Sequence, residues 1–402
     1  MQNIPLSNRR HVAIFGETNA GKSSLFNAII GQDSVIVSSE KGTTTDPIIK
    51  AMELIPFGPI ALVDTAGLSD TSTLGGERMK KTARILERTD FAIYAADSGN
   101  WNQEAIHQFI QKIQSKNTPY LLVFTKIELA DKNQRAQISA QYPAACMVSV
   151  NDGNTIDKLK IRLAEELAKL GSEEESMIAD LVPHNGTVIL VCPIDSAAPK
   201  GRLILPQVQL LRDCLDNGIQ CFVTKETELA SAFNKLKKID LVVTDSQAFA
   251  LVDSIVPSNI PLTSFSLLMA RQKGKLSEFL RGADAIETLP ANARILIAEG
   301  CSHNQTHEDI GHVKIPKGLE KKLGKHFQFD FVNGYDFPED LSPYSLVIHC
   351  GGCMLTRKNV QNRLRQCKTA QVPITNYGVV LAYLTNILNR CRTVFQQEEN
   401  CD

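Results

Sequence analysis

The sequence predicts an α/β protein of several domains, and three observations carry that prediction. Short apolar runs alternate with helical patterns along nearly the whole chain, as in mostly parallel sheets covered by helices. A glycine-rich loop of the form G-x-x-x-x-G-K-S joins the first run to the first helical segment. At 402 residues the chain is too long for one ordinary core, and we count three domains.

In the first segment, 1–170, the stretches His11–Phe15, Ile60–Asp64, Phe91–Ala95, Tyr120–Thr125 and Met147–Ser149 have the length and apolar character of strands. Lys22–Ile30, Met79–Glu87, Gln103–Gln114 and Ile156–Ala168 between them read as helices. Gly171-Ser-Glu-Glu-Glu-Ser176 is short, polar and acidic, and reads as a linker. A second segment, 177–265, resumes with strands at Thr187–Cys192, Ile219–Val223, Ile239–Thr244 and Leu262–Phe265 and helices at Gln207–Asp216, Glu226–Leu236 and Gln247–Asp253. It predicts a small α/β sheet. The third, 266–402, opens with a helical pattern to Arg281. Strands at Arg294–Ala298, Gln328–Val332, Ser345–His349 and Val372–Thr375 follow, with helices at Lys317–Lys325, Lys358–Gln366 and Val379–Asn389. No repeat of 20 to 50 residues is visible, and the polar tail from Phe395 predicts a frayed end.

Charge and cysteine usage exclude several classes. The 43 basic and 44 acidic residues leave a net charge of -1, with no basic patch interleaved with aromatics, so nucleic acid is not an expected partner. The N-terminus lacks a secretory apolar stretch, and runs such as Val188–Cys192 are too short to span a bilayer, which predicts a cytoplasmic protein without a membrane partner. Ten scattered cysteines do not form a disulfide framework. Cys146, Cys192, Cys214, Cys221, Cys367 and Cys391 fall in apolar or helical patterns and read as packing residues.

Gly16-Glu-Thr-Asn-Ala20-Gly21-Lys22-Ser23 lies between a strand and a helix, where a phosphate loop must lie. Its glycines let backbone N–H groups approach phosphates, Lys22 neutralises the β and γ oxygens, and Ser23 is placed to ligate Mg²⁺. Asn19, Ala20 and Ser24 complete the predicted nucleotide contacts of this loop. Asp64-Thr-Ala-Gly67 ends a later strand, offering a carboxylate to the Mg²⁺ shell and a glycine N–H to the γ-phosphate. Thr43, Thr44 and Thr45 fall between the two, where a threonine would reach the metal. Asp70 is the carboxylate of the following Ser/Thr/Gly-rich stretch placed to act on water.

These residues resemble the GTPases of the TrmE and Era class. The resemblance implies that Thr44 binds Mg²⁺, that Asn19 helps hold K⁺ beside the phosphates, and that Leu68 stands where Ras has its catalytic glutamine, so hydrolysis is slow. The class reads guanine with Asn-Lys-x-Asp; here Thr125-Lys126-Ile127-Glu128 takes that place, and Ser149-Val150-Asn151 stands where Ser-Ala-Lys is expected. Glu128 is able to accept the guanine N1 and N2 hydrogens, whereas adenine N1 would present it with a lone pair.

A second chemistry sits near the C-terminus. The strands 294–298 and 345–349 are expected in one parallel sheet, so Cys301, just past one, and Cys350 and Cys353, just past the other, converge on the edge where open α/β sheets bind ligands. Three thiolates without a fourth cysteine suit a 4Fe-4S cluster with one exchangeable iron position, for which His303, His349 and Glu299 are the candidates. A Cys/His zinc site is the competing reading.

Cys301-x-His303, a 45-residue gap and His349-Cys350-x-x-Cys353, following a TrmE-like GTPase, are similar over the whole chain to HydF, the family of maturation GTPases of iron-iron hydrogenases. The resemblance implies a GTPase domain at 1–170, a dimerisation domain at 177–265 and an iron-sulfur cluster domain at 266–402. It further implies a homodimeric scaffold that carries the diiron subcluster precursor to apo iron-iron hydrogenase, with two radical-SAM maturases upstream. A GTPase of tRNA modification or ribosome assembly with a structural zinc or iron-sulfur site is the alternative.

Overall fold

The computed structural model describes residues 5–31, 48–65, 84–171, 176–194, 201, 203–300 and 310–395. The chain forms two compact units, Met1–Glu173 and Glu174–Asp402. The architecture is α/β in both. Among the described residues no helix is long and apolar enough to cross a membrane.

The first unit is built on six strands, β1 (Arg10–Gly16), β2 (Ile48–Leu54), β3 (Gly58–Asp64), β4 (Phe91–Asp97), β5 (Tyr120–Thr125) and β6 (Cys146–Met147), in the order β2-β3-β1-β4-β5-β6. All neighbours are parallel except β2, which runs antiparallel to β3. The two-residue period of β1 sends Val12 and Ile14 into a core with Leu25, Leu62 and Leu163, and Ala13 and Phe15 into another with Val63, Tyr94 and Phe109. Helices α1 (Lys22–Ile30), α2 (84–88), α3 (Gln103–Ser115), α4 (Lys132–Gln141) and α5 (Gly153–Lys169) accompany the sheet.

Two elements escape the hydrophobic pattern. β2 is an edge strand with exposed Ile48 and Glu53, so its alternation is blurred. α4 buries only Ile138 and is fixed instead by a capping box between Asp131 and Gln134.

The second unit holds two four-stranded parallel sheets. The first, β7 (Thr187–Val191), β8 (Gln220–Thr224), β9 (Leu241–Thr244) and β10 (Leu262–Ser264), is ordered β10-β9-β7-β8; the second, β11 (Arg294–Glu299), β12 (Gln328–Asn333), β13 (Leu346–His349) and β14 (Ile374–Asn376), is ordered β12-β11-β13-β14. Read from the first strand of each, the connectivity is identical. The repeat is therefore one of topology, carried without visible sequence periodicity.

The helices are α6 (Leu205–Asp216), α7 (Leu229–Lys235), α8 (Phe249–Ile255), α9 (Phe265–Lys273), α10 (Leu276–Asp284), α11 (Ile315–Leu323), α12 (Arg357–Thr369), α13 (Tyr377–Leu384) and α14 (Leu388–Thr393). The single helix expected to Arg281 is two, broken at Gly274, where a Cβ would lie 2.8 Å from the Phe279 ring. The helix expected over 379–389 is likewise interrupted, with Asn386 in the left-handed region at φ 64°.

Helices join the two sheets into one body. α10 crosses β14 so closely that a Cβ on Gly282 would stand 1.9 Å from the Ile374 carbonyl oxygen. α14 reaches across to pack on β10, and its Arg390 pairs with Asp253 at 2.6 Å and donates to the carbonyls of Pro257 at 2.6 Å and Ile260 at 2.9 Å. One continuous core runs from Met177 to Phe395.

Candidate nucleotide and metal sites

β1 delivers the glycine-rich loop to the carboxyl edge of the first sheet. Gly16 holds φ +149° with its Cα against β4, where a Cβ would be 2.2 Å from the Ala95 carbonyl oxygen; only glycine fits. Gly21, at φ +78°, starts α1 without a side-chain cap, so the N–H groups of the first helical turn remain for an anion. Lys22 is buried and donates to the Glu17 carbonyl at 2.7 Å. Burial pulls its pKa down, opposed by Asp64 and Glu17.

Ser23 Oγ donates to Asp64 Oδ2 at 2.6 Å, while Asp64 Oδ1 is buried with no hydrogen-bond partner among the described residues. Burial raises the Asp64 pKa, and the Ser23 hydrogen bond and the Lys22 charge draw it back. A hydroxyl beside a carboxylate with a spare buried oxygen is the donor set of a hard cation, so these residues fit Mg²⁺. Ser24, next along α1, is exposed. Thr44, Gly67 and Asp70 lie outside the described residues, as do Thr43, Thr45 and Leu68.

The predicted base-recognition loops reach the same edge. Thr125 Oγ1 donates to the Ala20 carbonyl at 2.8 Å and lies 3.2 Å from the Ala96 carbonyl oxygen. Lys126, itself left-handed at φ 56°, bridges the Asn19 carbonyl at 2.8 Å and Asp97 Oδ2 at 2.7 Å. Glu128 is exposed on a short turn, Ile127–Leu129. The Ile127 N–H bonds the Val148 carbonyl at 3.2 Å, joining this turn to the Ser149-Val150 loop, where Ser149 is buried and exchanges hydrogen bonds with Thr155.

Sequence reasoning missed Asp97 and Trp101. Both border a cleft of about 270 Å³ that also touches Glu17, Asn19 and Tyr94. A carboxylate at a strand end, as in Asp64, was the available signal for Asp97. Trp101 is the chain's single tryptophan, edge-on to Phe124 at 5.8 Å. Adding GDP should therefore change the intrinsic fluorescence, and Trp101→Phe should abolish the change; a silent wild-type protein that demonstrably binds nucleotide would contradict this placement.

In the second unit β11 and β13 are parallel neighbours with Ala298 opposite His349, so Glu299 and Cys350 leave the sheet side by side. Cys350 Sγ accepts the Gly300 N–H at 2.9 Å and the Gly352 N–H at 3.3 Å. Burial raises the Cys350 thiol pKa, and these two amides oppose it. Burial also raises that of Cys353, opposed by the Lys273 charge. Lys273 is 5% exposed and its pKa falls to about 8 through burial, offset by Cys353 and Cys350. The net shift is upward for both thiols, while the amides at Cys350 and the Lys273 charge near Cys353 would offset part of the cost of the thiolate form that ligates soft metal centres. The two cysteines fit an iron-sulfur or zinc group on that ground.

His349 spends both ring nitrogens. Its Nδ1 donates to the Cys350 carbonyl at 2.6 Å and its Nε2 accepts from Arg363 Nη1 at 3.0 Å. Burial and Arg363 depress its pKa to about 3, which keeps the ring neutral. Glu299 Oε1 accepts from Tyr377 at 2.8 Å, and His312 Nδ1 stands 3.9 Å from Glu299 Oε2. Cys301 and His303 lie outside the described residues. Among the described residues no group of three His, Cys, Asp or Glu side chains is arranged for a metal ion.

Comparison with known families decides the identity. Residues 177–274 match the hydrogen maturase F dimerization domain and 277–394 the hydrogen maturase F tetramerization domain, directly behind a match of 11–126 to the 50S ribosome-binding GTPase family. The chain belongs to the HydF family. Its first unit is a GTPase domain, and the boundary between the two HydF domains falls where α9 ends and α10 begins. Among curated relatives, the tRNA modification GTPase MnmE of Bordetella petrii is 34% identical over 163 residues, 40% of this chain and 34% of that protein. MnmE of Bacteroides thetaiotaomicron is 31% identical over 161 residues, 37% of this chain and 34% of its own. The chain thus spans about a third of the length of these relatives. Among solved structures, Era in complex with MgGDPNP and 16S ribosomal RNA is 23% identical, covering 39% of this chain and 55% of that one at a TM-score of 0.32. The G domain of the T. maritima FeoB iron transporter is 25% identical, covering 39% and 98% at 0.30.

Proposed function

We propose that this chain is a cytoplasmic GTPase of iron-iron hydrogenase maturation. In this reading a 4Fe-4S cluster on Cys301, Cys350 and Cys353 serves as the platform from which a diiron subcluster precursor passes to apo-hydrogenase. The observation that carries it is the Cys350 thiol, held by two backbone amides at the carboxyl edge of a parallel sheet within a HydF-family chain. In this reading the fourth iron position goes to Glu299 or His303, supported by the hydrogen bond from Arg363 that occupies the His349 Nε2 lone pair. The precursor is cargo, supplied by two radical-SAM maturases, and the protein works as a homo-oligomer, as the dimerization and tetramerization domains imply. GTP hydrolysis contributes no atom to the diiron unit and acts as a switch. Anaerobic reconstitution followed by iron, sulfide and zinc determination and an EPR spectrum of the reduced protein tests this. Equal iron and sulfide with a reduced-cluster signal is expected; one zinc without sulfide would sink it.

K⁺ assistance is part of the same proposal. Asn19 borders the cleft at the phosphate loop, and a monovalent cation there would neutralise charge developing between the β and γ phosphates. Replacing K⁺ by Na⁺ at constant ionic strength should lower the GTPase rate. An unchanged rate removes Asn19 from this role.

A further inference from the structure

We propose that Lys273 is a positioning residue of the Cys350–Cys353 loop and the source of a fixed positive field at the iron-sulfur group held there; this rests on the cluster reading above. Lys273 ends α9, the helix that follows the first sheet of the second unit, and it lies inside the dimerization-domain match. Its ammonium nevertheless reaches the loop of the other sheet, donating to the carbonyls of Gly352 at 3.1 Å, Cys353 at 3.0 Å and Leu355 at 2.7 Å. Three acceptors use all three donors of an ammonium. With the Cys350 carbonyl held by His349 at 2.6 Å, the backbone on both sides of Gly352 is tied down, and the two thiols have a fixed setting.

The charge has its own consequence. A buried ammonium whose only described hydrogen bonds go to neutral carbonyls is costly unless an anion stands nearby. Thiolates bearing a cluster supply that anion. Arg363, the other buried cation here, is engaged elsewhere, with His349 and the carbonyls of Gly334 and Asp336; the Gly352 carbonyl has a second donor in the Leu355 N–H at 3.0 Å, so it is the Cys353 and Leu355 carbonyls that rely most on Lys273. Reduction adds an electron to the cluster, and a fixed cation stabilises the reduced form.

The test uses full-length protein reconstituted with iron and sulfide, folded by circular dichroism, in three versions: wild type, Lys273→Gln and Lys273→Met. Lys273→Gln retains donors without charge, and its cluster should keep its iron but shift its midpoint potential to a more negative value. Lys273→Met removes both, and should in addition release iron to a chelator several-fold faster than wild type. If Lys273→Met does not fold, the potential of Lys273→Gln decides alone. A wild-type potential in Lys273→Gln overturns the inference and leaves the cluster reading standing. A wild-type protein that takes up no iron and sulfide overturns the cluster reading itself.

Discussion

Lys22→Ala should lower single-turnover GTP hydrolysis by at least about a hundredfold, the scale on which removal of one preorganised charge or donor at a reacting phosphate or oxyanion is felt. The reason lies in how the side chain is held. Lys22 is buried at the start of α1 with its ammonium tethered to the Glu17 carbonyl at 2.7 Å, so it is aimed before nucleotide arrives and spends no reorganisation on the reaction. The fold should tolerate the loss, because burial of the charge disfavours the empty site and alanine removes that cost. Phosphate release from enzyme in excess over GTP measures the effect, and a thermal melt checks the fold. Turnover at the wild-type rate would remove the phosphate loop from the mechanism.

The second large effect is expected at the other unit. Cys350→Ala and Cys353→Ala should each lose the iron-sulfur signal and hydrogenase maturation altogether, since two remaining thiolates leave a second iron of the cubane without a thiolate beside the exchangeable one. Cys350→Ala also strands the Gly300 and Gly352 amides that now point at sulfur at 2.9 and 3.3 Å. Such unsatisfied donors cost about 1–3 kcal/mol each, so this variant should melt lower than Cys353→Ala. Iron and sulfide content with EPR follows the first effect, and denaturant melts of the apo-proteins follow the second. Full maturation by either variant would falsify the assignment of these ligands.

What was legible in the sequence is what is local. The phosphate loop is one uninterrupted stretch between a strand and a helix, and Asp64, Glu299 and Cys350 could be placed because parallel strands end on one edge. Lys273 and Arg363 could not. Lys273 reaches carbonyls 79 to 82 residues away, and in the sequence it is one lysine among many at a helix end. The same distance hid the state of His349: beside a cysteine it reads as a ligand, whereas Arg363, 14 residues on, occupies its lone pair. β2 and α4 were missed because an edge strand and a polar helix show little hydrophobic period, being fixed by a neighbouring strand and by a capping box. The helix break at Gly274 follows from the Phe279 ring packed against it, which no propensity foretells.

The packing of the late helix α14 on the earlier sheet sets an order of completion on the ribosome. β10 lies at the edge of its sheet, and the helix that packs over it, α14, is residues 388–393, the last helix described. An uncovered strand edge is a template for pairing with another chain, and synthesis proceeds at about 5–20 residues per second. The first sheet is thus translated several seconds before the helix that packs on its edge strand, an interval during which β10 lacks that partner. Truncation near the C-terminus would accordingly harm the sheet made first as well as the one made last.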